Sequence, residues 1–94
     1  MSIRESTVEK AVCQWAKEHG ILVMKLAGPQ QKGQPDRMFL YQGRACFMEI
    51  KAPGKKPTAL QQKWLQDLWD RGFSAHWFDT SSDAIRFLKS VFSV

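Results

Sequence analysis

Long apolar runs are missing from this sequence: none approaches the roughly 20 residues that a membrane-crossing helix needs. The opening Met1-Ser2-Ile3-Arg4-Glu5 lacks the basic-then-apolar layout of a secretory signal. Cysteine is limited to Cys13 and Cys46, both in apolar stretches. Two such residues make neither a disulfide framework nor a zinc site and read as core thiols in a reducing compartment. His19 and His76 are isolated, and each has a structural explanation, at a helix end and among apolar strand residues. Repeats, low-complexity tracts and interdomain linkers are absent. These absences point to a soluble, intracellular (cytoplasmic) protein without membrane association, folded as a single domain over residues 1–94.

Acids are scarce in one particular stretch. Between Lys25 and Lys63 the bases are Lys25, Lys32, Arg37, Arg44, Lys51, Lys55, Lys56 and Lys63, whereas Asp36 and Glu49 are the only acids. The whole chain carries a net charge of +5, which suits a polyanionic partner. Two carboxylates isolated in a basic field suggest a phosphate-holding site that uses its acids for a cation. A solvated basic face with two incidental acids is the competing reading. Lys32, Arg37, Lys55 and Lys56 are the candidate phosphate contacts.

With 44% hydrophobic residues the chain can bury a modest core, and its periodicity shows how. Val8, Ala11, Val12, Trp15, Ala16 and His19 mark one stripe of a helix over Ser6 to His19, ended by Gly20. Both Ser2-Ile3-Arg4-Glu5 and Ser6-Thr7-Val8-Glu9 match a capping box. Ile21 to Leu26 reads as a buried strand, and Ala27 to Pro35 as a polar loop suited to substrate contact. Two strands follow, joined by a turn at Tyr41-Gln42-Gly43-Arg44. Pro53-Gly54 breaks the second strand. Thr58 then caps a helix striped by Leu60, Trp64, Leu65, Leu68 and Trp69, closed at Arg71-Gly72. Phe73 to Phe78 is a further strand. Asp79 to Ser82 caps a last helix carrying Ala84, Ile85 and Leu88. The order is helix, three strands, helix, strand, helix: an α/β fold with a mixed central sheet flanked by helices.

The chemistry lies in the strand pair. Side chains alternate faces along a strand, so Glu49 and Lys51 project together, where Asp36 joins them if the strands pair. A Glu49–Lys51 salt bridge would explain two of these three charges. Phosphodiester hydrolysis uses all of them. Two carboxylates hold a divalent cation that activates water and relieves phosphoryl charge. A donor set of oxygens, completed by a carbonyl such as that of Ile50, favours Mg²⁺ or Mn²⁺ over zinc. Lys51 positions the water or stabilises the developing charge.

Gly33-Gln34-Pro35-Asp36 followed by Glu49-Ile50-Lys51 resembles the PD-(D/E)XK nuclease signature, and the local spelling resembles its VRR-NUC (virus-type replication-repair nuclease) branch. Pro53-Gly54, Thr58 and Gln61 fit the segment that follows in that branch. The order of elements is similar to the restriction-endonuclease-like αβββαβ core across essentially the whole chain. The resemblance implies a Mg²⁺- or Mn²⁺-dependent DNA endonuclease. Asp36 and Glu49 would be metal ligands, Lys51 the catalytic lysine and Gln61 an active-site helper. It also implies a glutamate from the first helix, for which Glu9 is the choice and Glu5 the reserve, although both also fit capping boxes. Stand-alone phage members imply a homodimer acting on branched DNA such as four-way (Holliday) junctions, in the host cytoplasm. The alternatives are a monomeric nicking or flap endonuclease, and a non-catalytic DNA-binding module on the same fold.

Overall fold

The computed structural model describes residues 3–26 and 32–94. Its elements run α1 (Glu5–Glu18), β1 (Leu22–Lys25), β2 (Arg37–Tyr41), β3 (Arg44–Ile50), α2 (Ala59–Asp70), β4 (Ser74–Phe78) and α3 (Ser81–Phe92). The predicted order holds throughout. The sheet order is β1-β2-β3-β4, with β1–β2 and β2–β3 antiparallel and β3–β4 parallel, so the sheet is mixed as expected.

Gln42 and Gly43, both at positive φ, make the tight turn between β2 and β3, whose twist suits a two-residue hairpin. The α2 crossover brings the chain to β4 alongside β3, as parallel pairing requires. α1 and α3 share one face of the sheet. Val8, Val12 and Ala16 of α1 and Ala84, Leu88 and Phe92 of α3 pack there against Phe39, Cys46, Met48 and Ile50. Burial pushes the Cys46 thiol up to about 12, which leaves it unreactive. α2 lies over the other face, near β3 and β4, where Phe73 meets Phe47 edge-on at 5.7 Å.

Several local expectations need correction. Ser6 lies inside the first turn of α1 and caps nothing; the N-cap position is Arg4, with no side-chain capping bond. The alternative box beginning at Ser2 falls outside the described residues, as do residues 27–31 of the predicted loop. The buried α1 stripe is narrower than its periodicity suggests, because Ala11 and His19 are exposed. β1 is not a buried strand: Leu22 and Met24 are 60% and 41% exposed. It lies at the sheet edge, and α2 reaches only the β3–β4 half of that face. For the same reason Leu65 is the one buried residue of the α2 stripe, while Leu60 and Trp69 are exposed.

Candidate active site

The β2–β3 register pairs Arg37 with Met48, so one residue further along Asp36 comes opposite Glu49. This is where the two strands open toward the start of α2. Asp36 Oδ2 lies 3.5 Å from the backbone N–H of Ile50, which donates to it. Glu49 is only 3% exposed, the single buried charged residue among those described. Gln61 Nε2 donates to Glu49 Oε1 at 3.2 Å. Glu49 Oε2 is buried with no hydrogen-bond partner.

A carboxylate withdrawn from water beside another carboxylate resists ionisation. Burial first, then the neighbouring Asp36 carboxylate, push the Glu49 carboxyl up to about 8; Lys51 opposes this and Glu5 adds to it. An orphaned buried oxygen and two acids forced together fit a hard divalent cation, which would satisfy the first and neutralise the second. Asp36 and Glu49 are the residues that would hold it. Among the described residues no three of Asp, Glu, His and Cys stand close enough to form a complete metal cluster. Any remaining donors would be backbone carbonyls, solvent or substrate.

Gln61 reaches Glu49 because of how α2 begins. The hydroxyl of Thr58 accepts from the Gln61 N–H at 3.2 Å, and Gln61 Oε1 accepts from the Thr58 N–H at 2.8 Å. This reciprocal capping box fixes the Gln61 side chain, leaving its amide N–H₂ pointed at the buried acid. The turn ahead of Asp36 is fitted to the same helix. Gly33 has φ +85°, and a Cβ there would lie 2.6 Å from Leu60 Cγ. The glycine lets the turn pass against α2 and deliver Asp36 to the strand mouth.

The two α1 acids separate. Glu9 accepts from Arg37 Nε at 2.6 Å, in a half-buried ion pair on the α1 side of the sheet. Glu5, one turn earlier, is the helix acid whose charge reaches Glu49. Arg37 is accordingly committed to Glu9, away from Asp36. The backbone N–H of Lys51 bonds to the Phe78 carbonyl at 2.9 Å, extending the β3–β4 pairing past the site. Lys32, Lys55 and Lys56 are exposed. The Ala52–Pro57 turn bearing Lys55 and Lys56 is tied down where Gly54 N–H donates to Asp79 Oδ2 at 3.0 Å. Asp79 was expected to help cap the last helix, but the capping side chain is Thr80. No local pattern could have revealed the bond from Asp79 to Gly54, since its partners lie 25 residues apart.

Comparison with known proteins agrees with this architecture. No profile of a known protein family matches the chain. It is 40% identical over 60 residues to "Putative nuclease p44" of Acyrthosiphon pisum secondary endosymbiont phage 1; the match takes in 63% of this chain and 64% of that one, just under two thirds of the relative's length. A solved structure described as "VRR_NUC domain" superposes with a TM-score of 0.82 at 23% identity, covering 94% of this chain and 97% of the other. A second, described as "VRR_NUC domain protein", gives 0.80 at 17% identity over 97% and 89%. The chain shares the fold of these two solved structures, each described as a VRR_NUC domain.

Proposed function

We propose that this chain is a Mg²⁺- or Mn²⁺-dependent DNA endonuclease of the VRR-NUC family. The observation that carries this reading is the buried Glu49 carboxylate, facing Asp36 with one oxygen unpartnered. A structural salt bridge would not leave it so. The phage relative named a nuclease and the shared fold support the same reading.

Asp36 and Glu49 would hold the cation, with the Ile50 carbonyl as a further donor. When bound, the cation activates water and relieves charge on the phosphoryl oxygens. Lys51 orients the attacking water or stabilises the charge that develops at phosphorus. Gln61 holds Glu49 Oε1, which leaves Oε2 as the oxygen that would meet a cation. Glu5, rather than Glu9, is the α1 acid that adds negative potential at the site, because the Glu9 carboxylate is occupied by Arg37. Lys32, Lys55 and Lys56 contact phosphates along the DNA.

The substrate is branched DNA, cut by two copies. Symmetric cleavage of a junction needs two sites, and this chain holds one. Leu22 and Met24, exposed on β1, are apolar surface available to such an interface. No helix among the described residues is long and apolar enough to cross a membrane.

The test uses labelled four-way junction, linear duplex and single strand, each with Mg²⁺, Mn²⁺ or EDTA, beside Lys51→Ala. Metal-dependent cleavage of the junction, lost in Lys51→Ala, is expected. Binding without cleavage of any substrate would make the chain a DNA-binding module. Equal cleavage of duplex and junction would remove only the structure selectivity, and a monomer by sedimentation only the dimer.

A further inference from the structure

Glu49 and Trp77 are partners in the parallel β3–β4 register. Neighbouring strands lie about 5 Å apart and partnered residues share a face, so Trp77 stands beside the buried acid on the α2 side. There a groove of about 310 Å³ runs between α2 and β4, large enough for a small ligand. Leu65 and Ala75, both buried, lie at its floor. Trp77 lines it from the strand, and Trp69, in the last turn of α2, lines it from the helix. A tryptophan that only filled the core would be covered, yet Trp69 is 54% exposed.

The lining suits one half of a nucleotide and not the other. No Lys, Arg, Asp or Glu lines the groove, so a phosphate would find no cation in it. Two indoles instead offer apolar faces on which a base can stack. Gln62 and Gln66 lie along the same groove. The first donates its amide to the Pro57 carbonyl at 3.2 Å and the second to Asp70 Oδ1 at 2.8 Å, which leaves their carbonyl oxygens to accept from a base edge. A peptide side chain could fill such a groove too, but its place one strand from Glu49 favours the DNA held there. Bases in a continuous duplex have both faces covered, so entry costs unstacking, least for a nucleotide that is already unpaired.

We infer that the α2–β4 groove is a subsite for an unpaired nucleobase of the bound DNA, with Trp69 and Trp77 as its stacking surfaces. The inference rests on the nuclease reading above and gives its structure selectivity a physical source. A branch supplies an unpaired base beside the cation site, and a continuous duplex does not.

The experiment is fluorescence anisotropy of the full chain in EDTA, which stops cleavage, with thermal melting to verify folding. The labelled DNAs are a duplex and the same duplex with a short single-stranded tail, of either polarity, made of adenines or of abasic units. Both tails carry the same phosphates, so their difference reports the bases. The wild type should bind the adenine tail about 10-fold tighter than the abasic one. Trp69→Ala, at an exposed position, should bind the adenine tail about 10-fold more weakly and the plain duplex as before. Trp77→Leu should do the same. Base and indole form one contact, so removing both should cost no more than removing either. Equal wild-type affinity for the two tails overturns the inference, as do additive losses or an equal loss on duplex and tail. Should Trp77→Leu not fold, Trp69→Ala decides alone. Wild type that binds these DNAs without preferring the adenine tail removes the groove and leaves the nuclease reading standing; wild type that binds none of them removes both.

Discussion

Gln61 joins the start of α2 to Glu49: its Oε1 takes the Thr58 N–H at 2.8 Å while its Nε2 donates to Glu49 Oε1 at 3.2 Å. One side chain thus caps a helix and orients a buried acid. Thr58→Ala removes only the capping hydroxyl and should cost about 1 kcal/mol of stability with cleavage largely kept. Gln61→Ala removes half of the cap and also leaves both Glu49 oxygens without a side-chain donor, so it should cost a similar amount of stability and slow cleavage more than Thr58→Ala does. Urea denaturation and single-turnover cleavage, run on both variants, check the contrast.

The carboxyl of Glu49, raised to about 8, makes the metal-free fold pH-sensitive. The native state binds a proton that the unfolded chain has already released at neutral pH. Stability contributed by this group is therefore intact below the ordinary carboxylate range and falls as pH rises toward 8. Without metal, the melting temperature should drop over that interval, and Glu49→Gln should flatten the dependence. With saturating Mn²⁺ the drop should shrink or reverse, because cation binding displaces the proton. Melting curves from pH 5 to 8.5, in EDTA and in Mn²⁺, read out both.

The exposed lysines of the turn after β3 should behave as phosphate contacts. Lys55→Ala and Lys56→Ala should each lower DNA affinity and reduce the slope of log affinity against log salt by about 1. Neither should change stability measurably, because both side chains are exposed. Arg37→Met should leave the slope unchanged, since its guanidinium is engaged by Glu9 on the α1 side. Fluorescence anisotropy across a salt series distinguishes the three.

Gly33→Ala should destabilise the protein by about 1–3 kcal/mol. Its φ of +85° disfavours any side chain, and the new Cβ would meet Leu60 Cγ at 2.6 Å. Leu60→Ala in the same chain clears the side-chain contacts but neither the 3.2 Å approach to the Leu60 backbone carbon nor the backbone strain, so it should restore only part of the loss. Chemical denaturation of the two single variants and the double variant gives the split.

Much of this molecule could be read along the chain. Period-2 and period-3.6 patterns are local, so the order of the seven elements, the β2–β3 turn and the Thr58 cap stand where the residues suggest. Alternation in β3 likewise put Glu49 on the face opposite Cys46, Met48 and Ile50, and the structure brings Asp36 beside it. The extent of cover over each face could not be read. Leu22 and Met24 look like core residues, yet they are exposed because α2 packs over β3 and β4 and leaves the β1 side open. On sequence Glu9 is preferred to Glu5 as the first-helix acid, although both stand in capping-box spacing on one helix. What separates them is Arg37, 28 residues from Glu9, and that contact depends on how α1 settles on the sheet. The sequence determined which residues carry charge and which strands present them, because those depend on neighbours a few residues away. Tertiary structure alone decided which charges meet, because desolvation and ion pairing depend on the packed elements around them.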